Sequence, residues 1–212
     1  FSISMCGFAP VAVLIKAGKL LEKSRDSALL AVEIYNKPRT AFRSNGYIVL
    51  MSIAWVSLFH AIFEKRSVNY FYKKNKVRYQ KIDGERRAWD LAECTKKYFP
   101  DANSPERKNI EFFIKLRNKI EHRFVPEIDK DIFGECQAML INYEDIITKE
   151  FGTNSAINEN LVFALQFSKL LHAKQNEIVK AKQGEEYKRV KKFINQYRRA
   201  LKKEVAESMN YN

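Results

Sequence analysis

Residues 46–63 read GYIVLMSIAWVSLFHAIF, a run of 18 residues without a formal charge. The run meets the lower limit of length for a helix that spans a membrane. Ser52, Ser57 and His60 interrupt it, however, and charged residues stand on both sides. A single span would also leave the neighbouring amphipathic helices without a surface to pack against. The run therefore predicts a buried core helix, with a membrane span as the alternative.

The segments on either side of this run have the periodicity of amphipathic helices. Residues 20–35 carry apolar side chains at helical spacings, and Pro38 ends the pattern. This segment and the apolar run are expected to pack as an antiparallel hairpin. The apolar stretch 8–15 is either a strand or the first turns of a helix. Further helices are predicted over residues 88–98, 104–123, 128–151, 158–171 and 173–208, the last with a break at Gly184.

The composition favours an all-α fold. The chain has 212 residues, of which 46% are apolar and 13% aromatic, enough for a sizeable core. Only 7 glycines and 5 prolines are present, which excludes a turn-rich β-sandwich. The number and spacing of the cysteines predict neither a disulfide framework nor a zinc site. We expect the cysteines to be buried as small apolar residues, and the protein to be cytoplasmic. The cysteines are Cys6, Cys94 and Cys136. No metal or other cofactor is predicted, because no ligand set or Gly-rich phosphate loop stands out.

The domain organisation is expected to be one helical domain with two additions. The domain covers residues 10–171 and is interrupted by an insert at about 66–87. A basic helical extension covers residues 172–212. Asp83-Gly84 is typical of a tight turn between two strands, so the insert is predicted to be a small hairpin.

The positive charge is concentrated in two segments. The formal net charge is +13, to which residues 65–87 contribute +7 and residues 173–208 contribute +6. A surplus of this size favours a polyanionic partner, either nucleic acid or an anionic membrane face. For the C-terminal segment, a solvated helix face is an equally good interpretation.

The insert combines cations with tyrosines. Cations bind phosphates and aromatic rings stack on bases, so this pattern is typical of a surface that binds RNA or another single strand. The candidate RNA-binding residues are Lys73, Lys74, Lys76, Arg78, Arg86 and Arg87.

Residues 111–123, EFFIKLRNKIEHR, contain the residue types needed for acid–base chemistry. At about 100° per residue, Arg117 falls near the edge of the buried helix face and Glu121 lies beside it. Asn118 and His122 fall on the far side, four residues apart, where they can touch. The buried face is marked by Phe113, Leu116 and Ile120.

These side chains suit the cleavage of RNA without a metal ion. The imidazole of His122 can give or take a proton near neutral pH, and Arg117 can stabilise charge on phosphate oxygens. RNA supplies its own nucleophile, the 2′-OH beside the scissile phosphate, so the predicted products are a 2′,3′-cyclic phosphate and a 5′-OH. One histidine cannot easily act as both base and acid. A two-fold dimer that supplies two copies is therefore expected.

Other interpretations of the histidines remain open. His122 also fits a cap for the last turn of its helix. His60 fits a core histidine with a satisfied partner. If the first two helices pack on the helix that carries Arg117, His60 or Glu64 is expected to support the site. Glu121, which lies on the Arg117 helix itself, is a further supporting candidate. His172 is expected to cap an apolar helix.

The segment RNKIEH, residues 117–122, resembles the signature of the HEPN superfamily, in which an Arg precedes a His by four to six residues. Four longer segments together resemble a bacterial family of unknown function that is placed among HEPN-like proteins. The similarity covers about residues 20–167. The four segments are LLEKSRDSALLAVEIYNKP, AWVSLFHAIFEK, ERKNIEFFIKLRNKIEHR and FGECQAMLINYEDIITKEFG.

The resemblance implies a HEPN-like helical bundle and a metal-independent RNase of antiviral or toxin-type defence. It implies a dimer with its active site at the interface, and an antitoxin or defence-complex partner. Arg117 and His122 would be catalytic, with Asn118 in support, and an acidic residue from another helix often completes such sites. The acidic candidates are Asp26, Glu33 and Glu64. The alternatives are a non-catalytic HEPN-like module that binds RNA or protein, and a purely structural bundle.

Overall fold

The structure of the chain is a computed structural model, which describes residues 11–37, 41–157 and 184–212. These residues form eight α-helices and a two-stranded hairpin, which confirms the all-α prediction. The strands are β1 (Lys81–Ile82) and β2 (Glu85–Arg86). The helices are α1 (Val11–Asn36), α2 (Arg43–Lys65), α3 (Leu91–Tyr98), α4 (Pro105–Ile120), α5 (Ile128–Asp131), α6 (Phe133–Phe151), α7 (Glu185–Arg199) and α8 (Lys203–Ala206).

Helices α1 and α2 form the expected antiparallel hairpin. Residue numbers rise along α1 as those of their contacts fall along α2, since Lys16 meets Glu64, Ser24 meets Ala54 and Ile34 meets Gly46. A Cβ atom on Gly46 would lie 2.8 Å from Cγ2 of Ile34, so glycine permits the close approach of the two helices. The described part of the stretch 8–15 is the first turn of α1, and not a strand.

Helix α2 is the core helix that its apolar run predicts. It is long and apolar enough to cross a membrane, but 67% of its most apolar window is buried inside the protein. Trp55 and Phe59 are fully buried, and Tyr143 of α6 packs edge-on against the Trp55 ring. The Ser52 hydroxyl donates to the carbonyl of Ile48 at 2.7 Å, so this interruption of the run is satisfied within the helix.

Helix α4 begins where the sequence predicts and ends earlier. Ser104 caps its first turn by accepting a hydrogen bond from the backbone N–H of Arg107, and Pro105 follows at the first helical position. The helix was expected to reach Arg123, but it stops at Ile120. The backbone N–H of Arg123 bonds to the carbonyl of Ile120 at 2.9 Å, a tighter turn that breaks the α-helical ladder.

The predicted helix over residues 128–151 is divided at Ile132 into α5 and α6. The break lets Asp129 of α5 reach the start of α2. Its carboxylate accepts hydrogen bonds from the backbone N–H groups of Arg43 at 3.0 Å and Ser44 at 3.1 Å. Asp129 thus caps α2 from a distant part of the sequence. At the other end of α6, Gly152 follows the last helical residue, as predicted, and has a positive φ of 88°.

The C-terminal residues 184–212 are helical and basic, but they are part of the core instead of a separate arm. The ring of Phe193 on α7 stacks on Phe112 of α4, with centroids 6.2 Å apart. Val190 and Ile194 are buried in the same cluster, as is Tyr211 after α8. The predictions for Cys6, His172 and the helices of residues 158–183 lie outside the described residues.

The insert is the predicted basic hairpin. Lys81 pairs with Arg86 and Ile82 with Glu85 across a two-residue turn. Asp83 and Gly84 form this turn with φ values of 49° and 85°, as the tightest hairpin turn requires. The insert is joined to the bundle by a hydrogen bond of 2.8 Å from the N–H of Trp89 to the carbonyl of Tyr70.

Candidate functional site

The four polar residues at the end of α4 are all exposed. In the part of the chain that the structure describes, their side chains take part in no hydrogen bond or ion pair. Arg117 was expected at the edge of the buried face, but its position near the helix end leaves it open to solvent. The four residues are Arg117, Asn118, Glu121 and His122.

His122 lies in the turn after α4, because the helix ends at Ile120. Asn118 and His122 were expected to touch because they are four residues apart on one helix. Since His122 lies beyond the helix end, this spacing does not bring them together. Both side chains remain exposed at the same end of the bundle. In this turn the imidazole is exposed and accessible to a ligand. His122 is not part of the last helical turn, in which it was alternatively expected to act as a cap.

Helix α7 covers one side of this end of α4 and leaves the other side open. The Lys119 ammonium lies 5.1 Å from the ring centroid of Phe193, and that of Lys115 lies 5.0 Å from Tyr197. At about 100° per residue, Arg117 projects on the side opposite to α7. The open side therefore presents Arg117, whereas at the same 100° per residue Asn118 points between this side and α7.

Phe124 is an exposed aromatic residue beside the candidate site that the sequence patterns do not single out. Its side chain is 67% exposed, and its ring packs edge-on against Phe42 with centroids 5.8 Å apart. Phe42 precedes the first residue of α2, so this contact places the His122 turn at the N-terminal end of α2. The position of a phenylalanine within the polar run before Pro126 was the available signal.

His60 and Glu64 lie at the opposite end of α2 and do not support the Arg117 site within one chain. From Phe42 to His60 the helix rises by about 27 Å. The conditional expectation that these two residues complete the site is thus wrong for a single chain. Asp26 and Glu33 are exposed on α1, and among the described residues no hydrogen bond or ion pair joins them to the site.

His60 and Glu64 instead join the insert to the bundle. His60 Nε2 donates to the carbonyl of Trp89 at 2.8 Å, and its ring stacks on Tyr70. Glu64 accepts from the Tyr70 hydroxyl and from Lys16 Nζ, both at 2.8 Å. Burial lowers the pKa of His60, as core residues with a satisfied partner often show.

Of the candidate RNA-binding cations, Lys74, Arg78 and Arg86 line an open groove of about 820 Å³, and all six candidates are exposed. Two of them lie against tyrosine rings. The guanidinium carbon of Arg86 is 4.4 Å from the centroid of Tyr79, and that of Arg87 is 4.7 Å from Tyr72. The groove is lined by Lys74, Val77, Arg78, Tyr79, Gln80, Lys81 and Arg86.

Two cysteines fall within the described residues. Cys94 and Cys136 are buried and unpaired, as the sequence predicts. Burial raises the pKa of both thiols, which keeps them protonated and unreactive at neutral pH. Residues 11–37, 41–157 and 184–212 contain no group of three or more His, Cys, Asp or Glu side chains that could hold a metal ion.

A family model described as a domain of unknown function, DUF3644, matches residues 19–201. The chain belongs to the DUF3644 family. The match includes the α1–α2 hairpin, the insert and the exposed end of α4, so the DUF3644 domain contains both candidate surfaces. No curated protein and no solved structure matches the chain. The description of the DUF3644 family states no activity.

Proposed function

We propose that this DUF3644 protein is a metal-independent endoribonuclease that cleaves single-stranded RNA at the exposed end of α4. The observation that carries the proposal is the set of Arg117, Asn118 and His122. All three are exposed, and within the described residues their side chains have no hydrogen bond or ion pair. The resemblance to the HEPN superfamily supports this assignment, and cytoplasmic defence is the role that it implies.

The chemistry needs a base, an acid and a cation. A histidine base removes the proton from the 2′-OH, and the 2′ oxygen attacks the neighbouring phosphorus. The bond to the 5′ oxygen breaks, and an acid protonates that oxygen. The products are a 2′,3′-cyclic phosphate and a 5′-OH. Arg117 stabilises the negative charge that develops on the phosphate oxygens. Asn118 orients His122 or the phosphate.

Two chains supply the two histidines. Each described chain presents one histidine at this site, and base and acid act on opposite sides of the phosphate. A two-fold axis beside the open side of α4 would bring two copies of His122 and Arg117 together. Phe124, at 67% exposure beside His122, provides an apolar anchor for such an interface.

The test is cleavage of a labelled single-stranded RNA in the presence of EDTA. We expect His122→Ala and Arg117→Ala each to lower the cleavage rate by at least ~10²-fold, the usual effect of a general acid–base group or a charge-stabilising donor. The cleaved 3′ ends should carry a cyclic phosphate. The matched control is Lys119→Ala, which removes one exposed cation from the same end of α4 and should leave the rate within about threefold.

Equal cleavage by all of these proteins would contradict the assignment of the site. No cleavage by the wild type or the variants would favour the alternative function, a non-catalytic module that binds RNA. That alternative has its own support in the cationic groove of the insert, which contains neither Arg117 nor His122.

A further inference from the structure

The insert carries a cluster of cations that have no ion pair with a carboxylate in the part of the chain that the structure describes. Seven lysines and arginines lie within residues 73–87, and none of them belongs to an ion pair among the described residues. Asp83 and Glu85 are the two acids of this segment. Like charges held on one small hairpin repel each other, and a polyanion that binds there relieves that repulsion. The cluster thus marks a surface for a polyanion.

We propose that this insert binds a single strand of RNA in its groove, with the phosphates on the cations and the bases beside the tyrosine rings. Lys74, Arg78 and Lys81 line the groove together with Arg86. These four residues are exposed, and the concave space that they line has a volume of about 820 Å³. A strand of nucleic acid follows such a groove with its phosphates along the walls.

The aromatic residues favour RNA over a lipid surface. The Tyr79 ring lines the groove, and the Arg86 guanidinium lies 4.4 Å from its centroid. A tyrosine and an arginine held together in this way offer a platform on which a base can stack. An anionic membrane is met by a convex or flat surface, whereas these cations line a depression.

The base of the insert is firmly attached, so the groove keeps its position on the bundle. Tyr70 is buried between the rings of His60 and Phe71, with centroid distances of 4.6 and 4.8 Å. Its hydroxyl donates to Glu64 at 2.8 Å. These contacts hold a hairpin that would be only marginally stable in isolation.

The groove lies far from the proposed cleavage site within one chain. The two surfaces are at opposite ends of α2, which rises about 27 Å between Phe42 and His60. A stacked strand of about eight nucleotides covers that distance at 3.4 Å per base. The groove therefore holds a flanking part of the RNA and not the scissile phosphate.

The test measures RNA binding by fluorescence anisotropy, with the full chain carrying His122→Ala so that the RNA stays intact. The probe is a fluorescein-labelled single strand of about 20 nucleotides. The variant combines Lys74→Gln, Arg78→Gln and Lys81→Gln, whose side chains make no hydrogen bond or ion pair among the described residues, so folding should be unaffected. The matched control combines Lys192→Gln, Arg199→Gln and Lys202→Gln, three exposed cations of the C-terminal segment.

We expect the groove variant to bind the RNA at least about 10-fold more weakly, and the control to bind within about threefold. The slope of log K against log salt should become less negative by about 2 for the groove variant, since about 0.7 is lost for each phosphate contact. Both results together support the groove as the binding site.

Two outcomes would overturn the proposal. One is an equal loss in both variants, which would show that only net charge matters. The other is unchanged RNA binding by the groove variant with a loss of binding to anionic phosphatidylserine vesicles, which would assign the groove to a membrane. The RNA ligand follows from the proposed function, but this experiment measures binding alone. A result that contradicts the proposed cleavage activity can thus be distinguished from one that contradicts RNA binding in the groove.

Discussion

At the scale of single residues, the burial of His60 should make the stability of the protein depend on pH. Its Nε2 donates to the Trp89 carbonyl at 2.8 Å. Burial is the main cause that lowers the pKa of this imidazole, and the cations Lys23 and Lys16 act in the same direction, while the hydrogen bond and Glu64 oppose them. The folded protein therefore keeps His60 neutral at pH values where the unfolded chain binds a proton.

The free energy of unfolding should therefore fall as the pH falls below about 6.5, the pKa of an unfolded histidine. The loss is at most about 1.4 kcal/mol per pH unit, and it stops below the lowered pKa of the folded state. His60→Gln keeps an N–H donor for Trp89 but does not titrate, so it should remove this part of the pH dependence. Urea unfolding at about pH 7.5 and about pH 5.5 measures the difference. An equal loss for both proteins would exclude His60 as its source.

The candidate site residues could be chosen from the sequence, but their spatial arrangement could not be predicted from it. Asn118 and His122 are exposed, as their place on the far side of the helix suggests, whereas Arg117 was expected at the edge of the buried face and is exposed as well. The turn that removes His122 from α4 depends on a backbone hydrogen bond to Ile120, which no spacing rule shows. The position of Phe124 at the N-terminal end of α2 depends on its contact with Phe42, from a distant part of the chain.

At the scale of elements, caps and turns formed by neighbouring residues could be predicted from the sequence, whereas contacts between distant segments could not. The Ser104 cap of α4 and the Asp83-Gly84 turn depend on neighbouring residues, and both are confirmed. The division between α5 and α6 serves Asp129, which caps a helix 85 or more positions away in the chain. Such a contact is visible only in the folded protein.

The packing of α7 on the bundle is a further long-range feature. Arg198 Nε donates to Glu135 Oε1 at 2.7 Å and its Nη2 donates to Oε2 at 2.9 Å. The Glu135 side chain is fully buried, so this paired hydrogen bond is its main compensation for the loss of water. The pair ties α7 to α6.

Removal of that guanidinium should destabilise the protein strongly. Arg198→Ala leaves a buried carboxylate without its partner, and we expect a loss of about 3 kcal/mol in the free energy of unfolding. The neighbouring Arg199 is exposed and has no ion pair among the described residues, so Arg199→Ala should cost less than about 0.5 kcal/mol. Urea unfolding of the two variants compares the losses. A similar small loss for both would mean that Arg198 does not hold α7 in place.

At the scale of the whole molecule, α2 separates two surfaces with different chemistry. One end of the bundle carries the exposed Arg117 and His122, and the other carries the cationic groove of the insert. The apolar run that forms α2 is thus the spacer between them. Because the first surface has one histidine in the described part of each chain, the acid–base chemistry that we propose there would depend on how two chains associate.

Mixed dimers should therefore be inactive if two copies of His122 share one site. We expect a threefold excess of His122→Ala chains, exchanged with wild-type chains by unfolding and refolding together, to lower the cleavage rate per wild-type chain to about a quarter, because about a quarter of wild-type chains then have a wild-type partner. Lys119→Ala chains added in the same excess should not lower the rate. A rate per wild-type chain that does not change with added His122→Ala would show that each chain contains a complete site, and the second acid–base group would then have to come from the same chain.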